Sequence, residues 1–214
     1  MGRIGQGIAR RAAGFDMRVL YHNRNRLPEA VERECRAEYT DLDGLLARAD
    51  HLVLVLPYSA QAHHLIDATA LAKMKRTATL TNIARGGLVD EDALADALEG
   101  GRLAAAGLDV YEGEPVVNPR LLALRNVVLT PHIASGSLAT RRAMVALAVD
   151  NLIAALGHGP NAGRPPTPVN AAAVKAPGTC GRAVGVRGRA SHSLRSAIFE
   201  PSSPAGGRRG KRHQ

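Results

Sequence analysis

Four residues in the middle of this chain combine a cation, two carboxylates and an imidazole. Arg85 lies in a glycine turn, Asp109 and Glu114 lie close together, and His132 follows a Thr-Pro pair. A guanidinium binds carboxylate and carbonyl oxygens, and an imidazole can donate or accept a proton near neutral pH. Each residue alone would be an ordinary surface residue. Their combination indicates a site that holds an anionic group and transfers a proton.

The segments that position these residues follow a strand, helix, strand order. A β-rich run at 77–81 precedes Arg85, and a helix pattern at 90–99 ends in Gly-Gly. Further strand patterns at 104–109 and 127–129 precede the remaining residues. Strands joined through helices run parallel, so their carboxyl ends meet at one edge of the sheet. Ligands of open α/β sheets bind at that edge.

Three sequence segments in this region carry a family resemblance. They read NIARGGLVDEDAL, AGLDVYEGEP and LTPHIAS, and in them Glu114 follows Arg85 by 29 positions and His132 follows Glu114 by 18. Their order and spacing resemble the D-isomer-specific 2-hydroxyacid dehydrogenases, in the glyoxylate/hydroxypyruvate and 2-ketogluconate reductase branch. The resemblance extends from Gly2 to about Asn170.

The resemblance implies a reversible hydride transfer between NAD(P)H and a small 2-oxo or 2-hydroxy acid. Arg85 would bind the substrate carboxylate or carbonyl, and His132 would exchange the proton while Glu114 orients its imidazole. Asp109 would hydrogen-bond the nicotinamide carboxamide. The resemblance also implies a homodimer for a full-length member.

Further cofactor contacts are expected from segments that follow strand patterns. By resemblance, Leu56 and Pro57 would line the cofactor cleft after the apolar run 52–56, and Ile83 and Ala84 would contribute beside Arg85. That apolar run has the length of a strand buried on both faces.

The start of the chain resembles part of a dinucleotide-binding fingerprint. Gly2 and Gly5, with Arg3 and Ile4 between them, fit the second and third glycines of G-x-G-x-x-G. A helix pattern follows and ends at Gly14. Such glycines let the backbone approach a pyrophosphate and the helix pack closely. The preceding strand and first glycine are missing.

The turn after the next strand pattern, 17–21, bears on the choice of nucleotide. NAD-specific domains place an acidic residue there. Here Asn23 occupies that position, and Arg24 and Arg26 follow. Guanidinium groups would attract a 2′-phosphate, which favours NADP(H) over NAD(H). The alternative is a solvated turn whose arginines bind nothing.

We therefore predict an α/β fold, a Rossmann-like doubly wound parallel sheet that lacks its first strand. The predicted divisions are a nucleotide-binding domain at 1–157, a closing family segment at 158–170 and a disordered basic tail at 171–214. Family members also carry a substrate domain that this sequence lacks, so we expect a fragment that folds poorly and has little activity alone. The competing class is a non-catalytic Rossmann remnant that binds nucleotide or a partner.

Most of the formal net charge of +9 lies in the tail. Residues 171–214 contain nine lysines and arginines and one acidic residue, Glu200. A basic tail can bind nucleic acid weakly through phosphates. Without interleaved aromatic residues or a recognised module, no specific nucleic-acid partner is predicted.

Metal, disulfide and membrane patterns are also absent from the sequence. His63 and His64 are adjacent, and since adjacent side chains point apart on a helix or strand, no metal site is expected. Cys35 and Cys180 fit free thiols, which together with the lack of a signal segment indicates a cytoplasmic protein. The apolar stretch 143–156 is too short and polar to span a membrane.

Overall fold

The computed structural model describes residues 1–169. Its contacts divide the chain into two units, Met1–Val149 and Asp150–Gln214. The predicted disordered tail, including Cys180, lies outside the described residues, and the predicted boundaries at 157 and 170 stay predictions.

Helices and parallel strands alternate along the chain, as expected for an α/β fold. In chain order the elements are α1 (Arg3–Ala12), β1 (Val19–Tyr21), α2 (Glu29–Cys35), β2 (Ala37–Tyr39), α3 (Leu42–Arg48), β3 (His51–Leu54), α4 (Ala68–Lys73), β4 (Thr79–Asn82), α5 (Glu91–Glu99), β5 (Ala105–Leu108), α6 (Pro119–Ala123), β6 (Val127–Leu129) and α7 (Leu138–Ala155). Short 3₁₀ turns occupy Ala13–Phe15, Ala60–Ala62 and Gly86–Leu88.

The strands form two parallel sheets. One pairs β1 with β2, and the other has the order β3-β4-β5-β6. In β4, Leu80 is fully buried while Thr79 and Thr81 are half-buried. Leu80 joins a cluster of aliphatic side chains from the strands and helices that includes Ile66 and Leu94. Burying each such side chain contributes about 1.5–3 kcal/mol, so this cluster anchors the sheet edge described below.

Aspartates set the starts of three helices. Asp41, Asp67 and Asp90 precede α3, α4 and α5, and each carboxylate accepts a hydrogen bond from a backbone N–H of the first helical turn. Such caps satisfy donors that have no partner inside the helix. Asp90 thereby fixes where α5 begins after the turn that carries Arg85.

A cleft separates the two sheets. β1 and β3 are edge strands of their respective sheets. Residues of both strands line this cleft, which has a volume of about 360 Å³. β1 begins at Val19, and β3 ends at Leu54 where the predicted run continued to Leu56. The prediction that this run is buried on both faces is wrong, because Val53 and Val55 line the cleft and are only half-buried. The cleft lies where the sheet was predicted to lack its first strand.

Nearly all of the apolar stretch 143–156 lies in α7. The chain leaves the helix at Gly157, whose φ of 80° is in the left-handed region that glycine adopts without strain. Within residues 1–169, no helix combines the length and apolar character needed to cross a bilayer.

Candidate active site

The carboxyl ends of β4, β5 and β6 meet at one edge of the larger sheet. Asn82 of β4 aligns with Leu108 of β5, which aligns with Leu129 of β6. The residues that follow these positions therefore leave the sheet side by side. The predicted placement of Arg85, Asp109 and His132 just beyond strand ends is confirmed.

A buried asparagine holds the turn that presents Arg85. The Asn82 side chain is 1% exposed; its Oδ1 accepts the Ala84 N–H at 3.0 Å and its Nδ2 donates to the Arg85 carbonyl at 2.9 Å. Arg85 itself is exposed, and its Nη1 donates to the Ala84 carbonyl. The sequence patterns alone do not identify Asn82 as a site residue, although an asparagine that ends a strand commonly closes such a turn.

The glycine after Arg85 allows a close backbone contact. A Cβ at Gly86 would lie 1.9 Å from the carbonyl carbon of Tyr111 and 2.1 Å from the Glu112 nitrogen. Only a residue without a side chain fits there. Gly86 thus joins the turn that carries Arg85 to the loop that carries Glu114.

Asp109 anchors the loop that carries His132. Its buried carboxylate accepts hydrogen bonds from the Thr130 hydroxyl at 2.5 Å and from the N–H groups of Ile133 and Ala134, both at 2.8 Å. Burial alone would raise the pKa of Asp109, but these hydrogen bonds outweigh it and the pKa is lowered. Thr130 is a second residue that sequence reasoning missed.

Glu114 and His132 form a hydrogen-bonded pair. The His132 Nδ1 lies 2.8 Å from the Glu114 Oε2, and the Tyr111 N–H donates to the Glu114 Oε1 at 3.0 Å. The hydrogen bond with His132, then that from Tyr111, lowers the pKa of the Glu114 carboxyl, and the charge of Arg85 acts in the same direction. The His132 side chain is 48% exposed. Its Nε2 has no hydrogen-bond partner within residues 1–169 and is available to a ligand.

A mostly apolar cleft of about 520 Å³ adjoins this pair. Its lining comprises Tyr111, Glu114, Pro115, Val117, Leu122, Leu129, Thr130, Pro131 and His132. The Glu114–His132 pair therefore borders a mostly apolar surface, which excludes water once a ligand covers it.

The glycine segment at the start of the chain forms the first turn of α1. The expectation that the helix follows Gly5 is wrong. The helix begins at Arg3, so Gly5 lies in its first turn. A Cβ at Gly5 would lie 3.3 Å from the Met1 sulfur and 3.4 Å from Val55, which is close packing of the helix against the chain after β3. Arg3 and Ile4 are exposed.

The turn after β1 contains an ion pair that the sequence did not reveal. The Arg26 Nε and Nη2 each donate to the Glu32 carboxylate at 2.8 Å, and the Tyr21 hydroxyl donates to it at 2.5 Å. These hydrogen bonds, that from Arg26 first, lower the pKa of Glu32 to about 2. Asn23 accepts a hydrogen bond from the Met1 amino group. Arg24 is exposed and has no ion-pair partner in the described part of the chain.

The remaining predicted cofactor residues follow the carboxyl ends of β3 and β4. Leu56 is half-buried and lines the cleft between the sheets, whereas Pro57 is exposed. Ile83 is half-buried and Ala84 is buried in the turn after β4. Their contacts with a nucleotide stay predictions.

The geometric reason for expecting no metal at the paired histidines is wrong. The rings of His63 and His64 stack with their centroids 3.8 Å apart. His64 has a φ of 50°, so the local backbone is neither helix nor strand and both side chains point to the same side.

Parallel strands with flanking helices, a glycine turn at the start of α1 and polar residues at the carboxyl edge define a nucleotide-binding α/β domain of the Rossmann type. Residues 1–134 match the NAD-binding domain of the D-isomer specific 2-hydroxyacid dehydrogenases, and the chain belongs to that family.

Relatives and solved structures agree with this assignment. The glyoxylate reductase of Pyrococcus horikoshii is 53% identical over 154 residues, 72% of this chain and 46% of that protein. The glyoxylate/hydroxypyruvate reductase B of Erwinia tasmaniensis is 56% identical over 158 residues, 73% and 49% of the respective chains. An NADPH-dependent glyoxylate/hydroxypyruvate reductase of Sinorhizobium meliloti, solved with NADP and malonate, has a TM-score of 0.69 at 40% identity, covering 74% of this chain and 48% of that one. The chain spans about half the length of the relatives it matches.

Proposed function

We propose that this chain supplies the nucleotide-binding and proton-transfer parts of a reductase that interconverts small 2-oxo and 2-hydroxy acids. The observation that carries the proposal is the Glu114–His132 pair, at 2.8 Å, on the same sheet edge as Arg85. The names of the relatives point to glyoxylate and hydroxypyruvate, and 2-ketogluconate belongs to the same chemical class. The proposal concerns the activity of the whole protein.

The start of α1 fits a dinucleotide pyrophosphate. Gly2 caps the helix without a side-chain hydrogen bond, so the N–H groups of the first turn have no side-chain acceptor. Space is open around Gly2, where a Cβ would meet no atom within 4 Å. Free N–H groups and the helix dipole favour a phosphate at this position.

Each side chain of the edge has a definite task in the proposed reaction. A bound nicotinamide supplies the hydride that reduces C2 of the 2-oxo acid. Arg85 binds the substrate carboxylate with its planar guanidinium. His132 donates its Nε2 proton to the oxygen that gains negative charge at C2, and Glu114 holds the ring in place through its hydrogen bond with Nδ1. In the reverse direction the same nitrogen removes the hydroxyl proton.

Asp109 has a double role in this proposal. It holds the His132 loop through the hydrogen bonds described above, of which Oδ2 accepts one, from Ala134. A carboxylate oxygen has room for a second donor. We propose that this donor is the nicotinamide carboxamide.

We further propose that Arg24 selects NADP(H). No acidic residue lies between His22 and Arg26, and Arg24 is the guanidinium of this turn that is not held by Glu32. An exposed guanidinium attracts a 2′-phosphate that a carboxylate would repel.

Thermal unfolding with NADPH and with NADH tests the proposed cofactor site and the proposed role of Arg24. A ligand that binds only the native state stabilises it by RT ln(1 + [L]/Kd), about 2.7 kcal/mol at a hundredfold excess over Kd. We expect a larger stabilisation by NADPH than by NADH, and a loss of this difference in Arg24→Ala but not in the matched surface variant Arg33→Ala. A protein that neither nucleotide stabilises contradicts the proposed cofactor site.

Turnover tests the substrate class separately. In the whole protein that contains this chain, NADPH oxidation is followed with glyoxylate, hydroxypyruvate and 2-ketogluconate. Acetaldehyde is the comparison, because it is a carbonyl compound that has no carboxylate for Arg85 to bind. We expect the acids to be reduced faster than acetaldehyde, and His132→Gln to lower the rate with each acid strongly. Equal rates with acetaldehyde would contradict the role of Arg85.

A further inference from the structure

Two histidines and a glutamate converge at a site that the proposed reaction does not use. The His64 Nε2 lies 3.0 Å from both carboxylate oxygens of Glu112, and the His63 Nε2 lies 3.8 Å from one of them. One ligand atom from each residue lies within 4.8 Å of the others. We call these three residues the His63/His64/Glu112 cluster.

The spacing of these atoms suits a tetrahedral metal ion. Zinc binds imidazole nitrogen and carboxylate oxygen at about 2.0–2.2 Å, which places neighbouring ligands roughly 3.3 Å apart. The two distances from Glu112 to the imidazole nitrogens, 3.0 and 3.8 Å, lie on either side of that value. The His63 and His64 rings are stacked, with centroids 3.8 Å apart and planes at 23°. Because an imidazole nitrogen binds a metal in the plane of its own ring, a shared cation requires at least one of the two rings to turn out of the stack.

Polar groups also lie next to the opposite nitrogen of each imidazole. The His63 Nδ1 lies 3.2 Å from the Tyr58 hydroxyl, and the His64 Nδ1 lies 4.0 Å from the Asp90 carboxylate. Metal-binding histidines almost always hydrogen-bond through their second nitrogen, which orients the ring. Only the His63–Tyr58 contact is within hydrogen-bond distance, whereas Asp90 contributes a nearby negative charge. Both Nε2 atoms are thereby directed to Glu112.

Backbone hydrogen bonds hold the segments of the cluster together. The His64 N–H donates to the Gly87 carbonyl at 2.9 Å, and the Ile66 N–H donates to the Leu88 carbonyl at 3.0 Å. On the other side, the Glu112 N–H donates to the Glu91 carboxylate at 2.8 Å. Folding therefore already brings the three residues together, and metal binding has only to reorient their side chains.

The charges around the cluster favour a dication. In the described part of the chain, the ion-pair partners of Glu112 are His63 and His64, with no lysine or arginine among them. With neutral imidazoles, the carboxylates of Glu112 and Asp90 would balance a double positive charge. The His63, His64 and Glu112 side chains are 44%, 33% and 39% exposed, so an ion can reach them.

We propose that the cluster binds a transition-metal dication such as Zn²⁺ through the Nε2 atoms of His63 and His64 and the carboxylate of Glu112. Two imidazoles and one carboxylate suit zinc, copper or nickel better than magnesium or calcium, which prefer oxygen ligands. A water molecule completes the coordination at the exposed side. This proposal replaces the sequence-based expectation of no metal, and it does not depend on the proposed reductase activity.

Calorimetric titration of the chelator-treated full chain with Zn²⁺ near neutral pH tests the proposal. We expect one saturable site, and at least about tenfold weaker binding in His64→Ala and in Glu112→Gln. His51→Ala is the matched control, because His51 is an exposed histidine that contacts Thr79 and lies outside the cluster. It should bind zinc as tightly as the unchanged protein.

The variant His132→Ala tests whether Glu114 and His132, rather than the cluster, bind the metal. Binding that survives in His64→Ala and Glu112→Gln but disappears in His132→Ala would place the metal at Glu114 and His132 and overturn the proposal. Absence of saturable binding would also overturn it. Tyr58→Phe removes only the hydroxyl next to His63 and keeps the ligands, so weakened binding in this variant supports the site even where a ligand variant fails to fold.

Cobalt substitution identifies the ligand atoms. We expect visible absorption bands of Co²⁺ bound to nitrogen and oxygen, which His64→Ala removes. A thiolate-to-cobalt charge-transfer band would assign the metal to a cysteine and contradict the proposal.

Discussion

At the scale of single residues, Glu114 and His132 show how a proton-transfer group is held in place. Glu114 accepts one hydrogen bond from His132 and another from the Tyr111 backbone, so its carboxylate has two fixed contacts. His132 has a φ of 52°, in the left-handed region that residues other than glycine seldom adopt. The imidazole is thereby oriented by Nδ1 and exposes Nε2.

Replacing the imidazole tests its proposed role as proton donor. We expect His132→Gln to lower kcat for 2-oxo acid reduction by about 10²–10⁴, the range for general acid catalysis. Nucleotide binding should not change, because the proposed pyrophosphate site lies at α1. Steady-state rates and NADPH titrations measure the two effects. A variant that loses nucleotide affinity but keeps kcat would contradict this assignment.

Asp109 should matter for stability as well as for catalysis. In Asp109→Asn one acceptor oxygen becomes an NH₂ donor that faces a backbone N–H, and leaving such a buried group unsatisfied costs about 1–3 kcal/mol. Chemical denaturation of the variant should show this loss. Asp43→Asn is the control, because Asp43 forms an exposed ion pair with Lys73 and such pairs contribute about 0–1 kcal/mol. Equal stability of the two variants would contradict the anchoring role.

At the scale of elements, the close contact at Gly86 joins the turn after β4 to the loop after β5. Gly86→Ala would force a methyl group into the backbone of Tyr111 and Glu112. Overpacking of this kind costs typically 1–3 kcal/mol, and here it also displaces Arg85 relative to Glu114. We therefore expect lower stability and lower activity together, measured by denaturation and turnover. In Gly14→Ala, where a Cβ meets no atom within 4 Å, both should stay nearly unchanged.

The ion pair between the β1–α2 turn and α2 gives a pH-dependent contribution to stability. The pKa of Glu32 falls from 4.5 to about 2 in the folded chain. A lowered folded pKa means that the contribution is fully present above about pH 4.5 and is lost as the pH falls towards 2. We expect the stability difference between the unchanged protein and Glu32→Gln to shrink over this interval, as measured by urea unfolding. Glu34→Gln, a change at an exposed acid of the same helix, is the matched control.

The same elements show what the sequence could predict. The helix pattern that ends in Gly-Gly and the two strand patterns after it located α5, β5 and β6 nearly to the residue, because these signals are local. The edge residues Arg85, Asp109 and His132 followed from strand order. The ion pair of Arg26 with Glu32 was missed and the geometry of the histidine pair was predicted wrongly. A contact between a turn and the following helix leaves no periodic signal, and neither does a left-handed backbone.

At the scale of the whole molecule, the cleft between β1 and β3 separates the two sheets of the first unit. Val53 and Val55 line it, and so does Met1. The Met1 amino group contacts Asn23, which follows the carboxyl end of β1. A strand joined ahead of Met1 would therefore end at the edge where β1 and β3 end, which makes it parallel to both.

An added strand should stabilise the fold. We expect an extension of about five apolar β-branched residues followed by glycine to raise Tm, because it pairs with two open strand edges and covers the cleft. Each buried side chain contributes about 1.5–3 kcal/mol, and in a chain of this size 1 kcal/mol corresponds to about 2–4 °C. Scanning calorimetry compares it with a Gly-Ser extension of equal length, which cannot fill the cleft. If the two extensions give the same Tm, the cleft does not accept a strand and the two sheets are stable as separate layers.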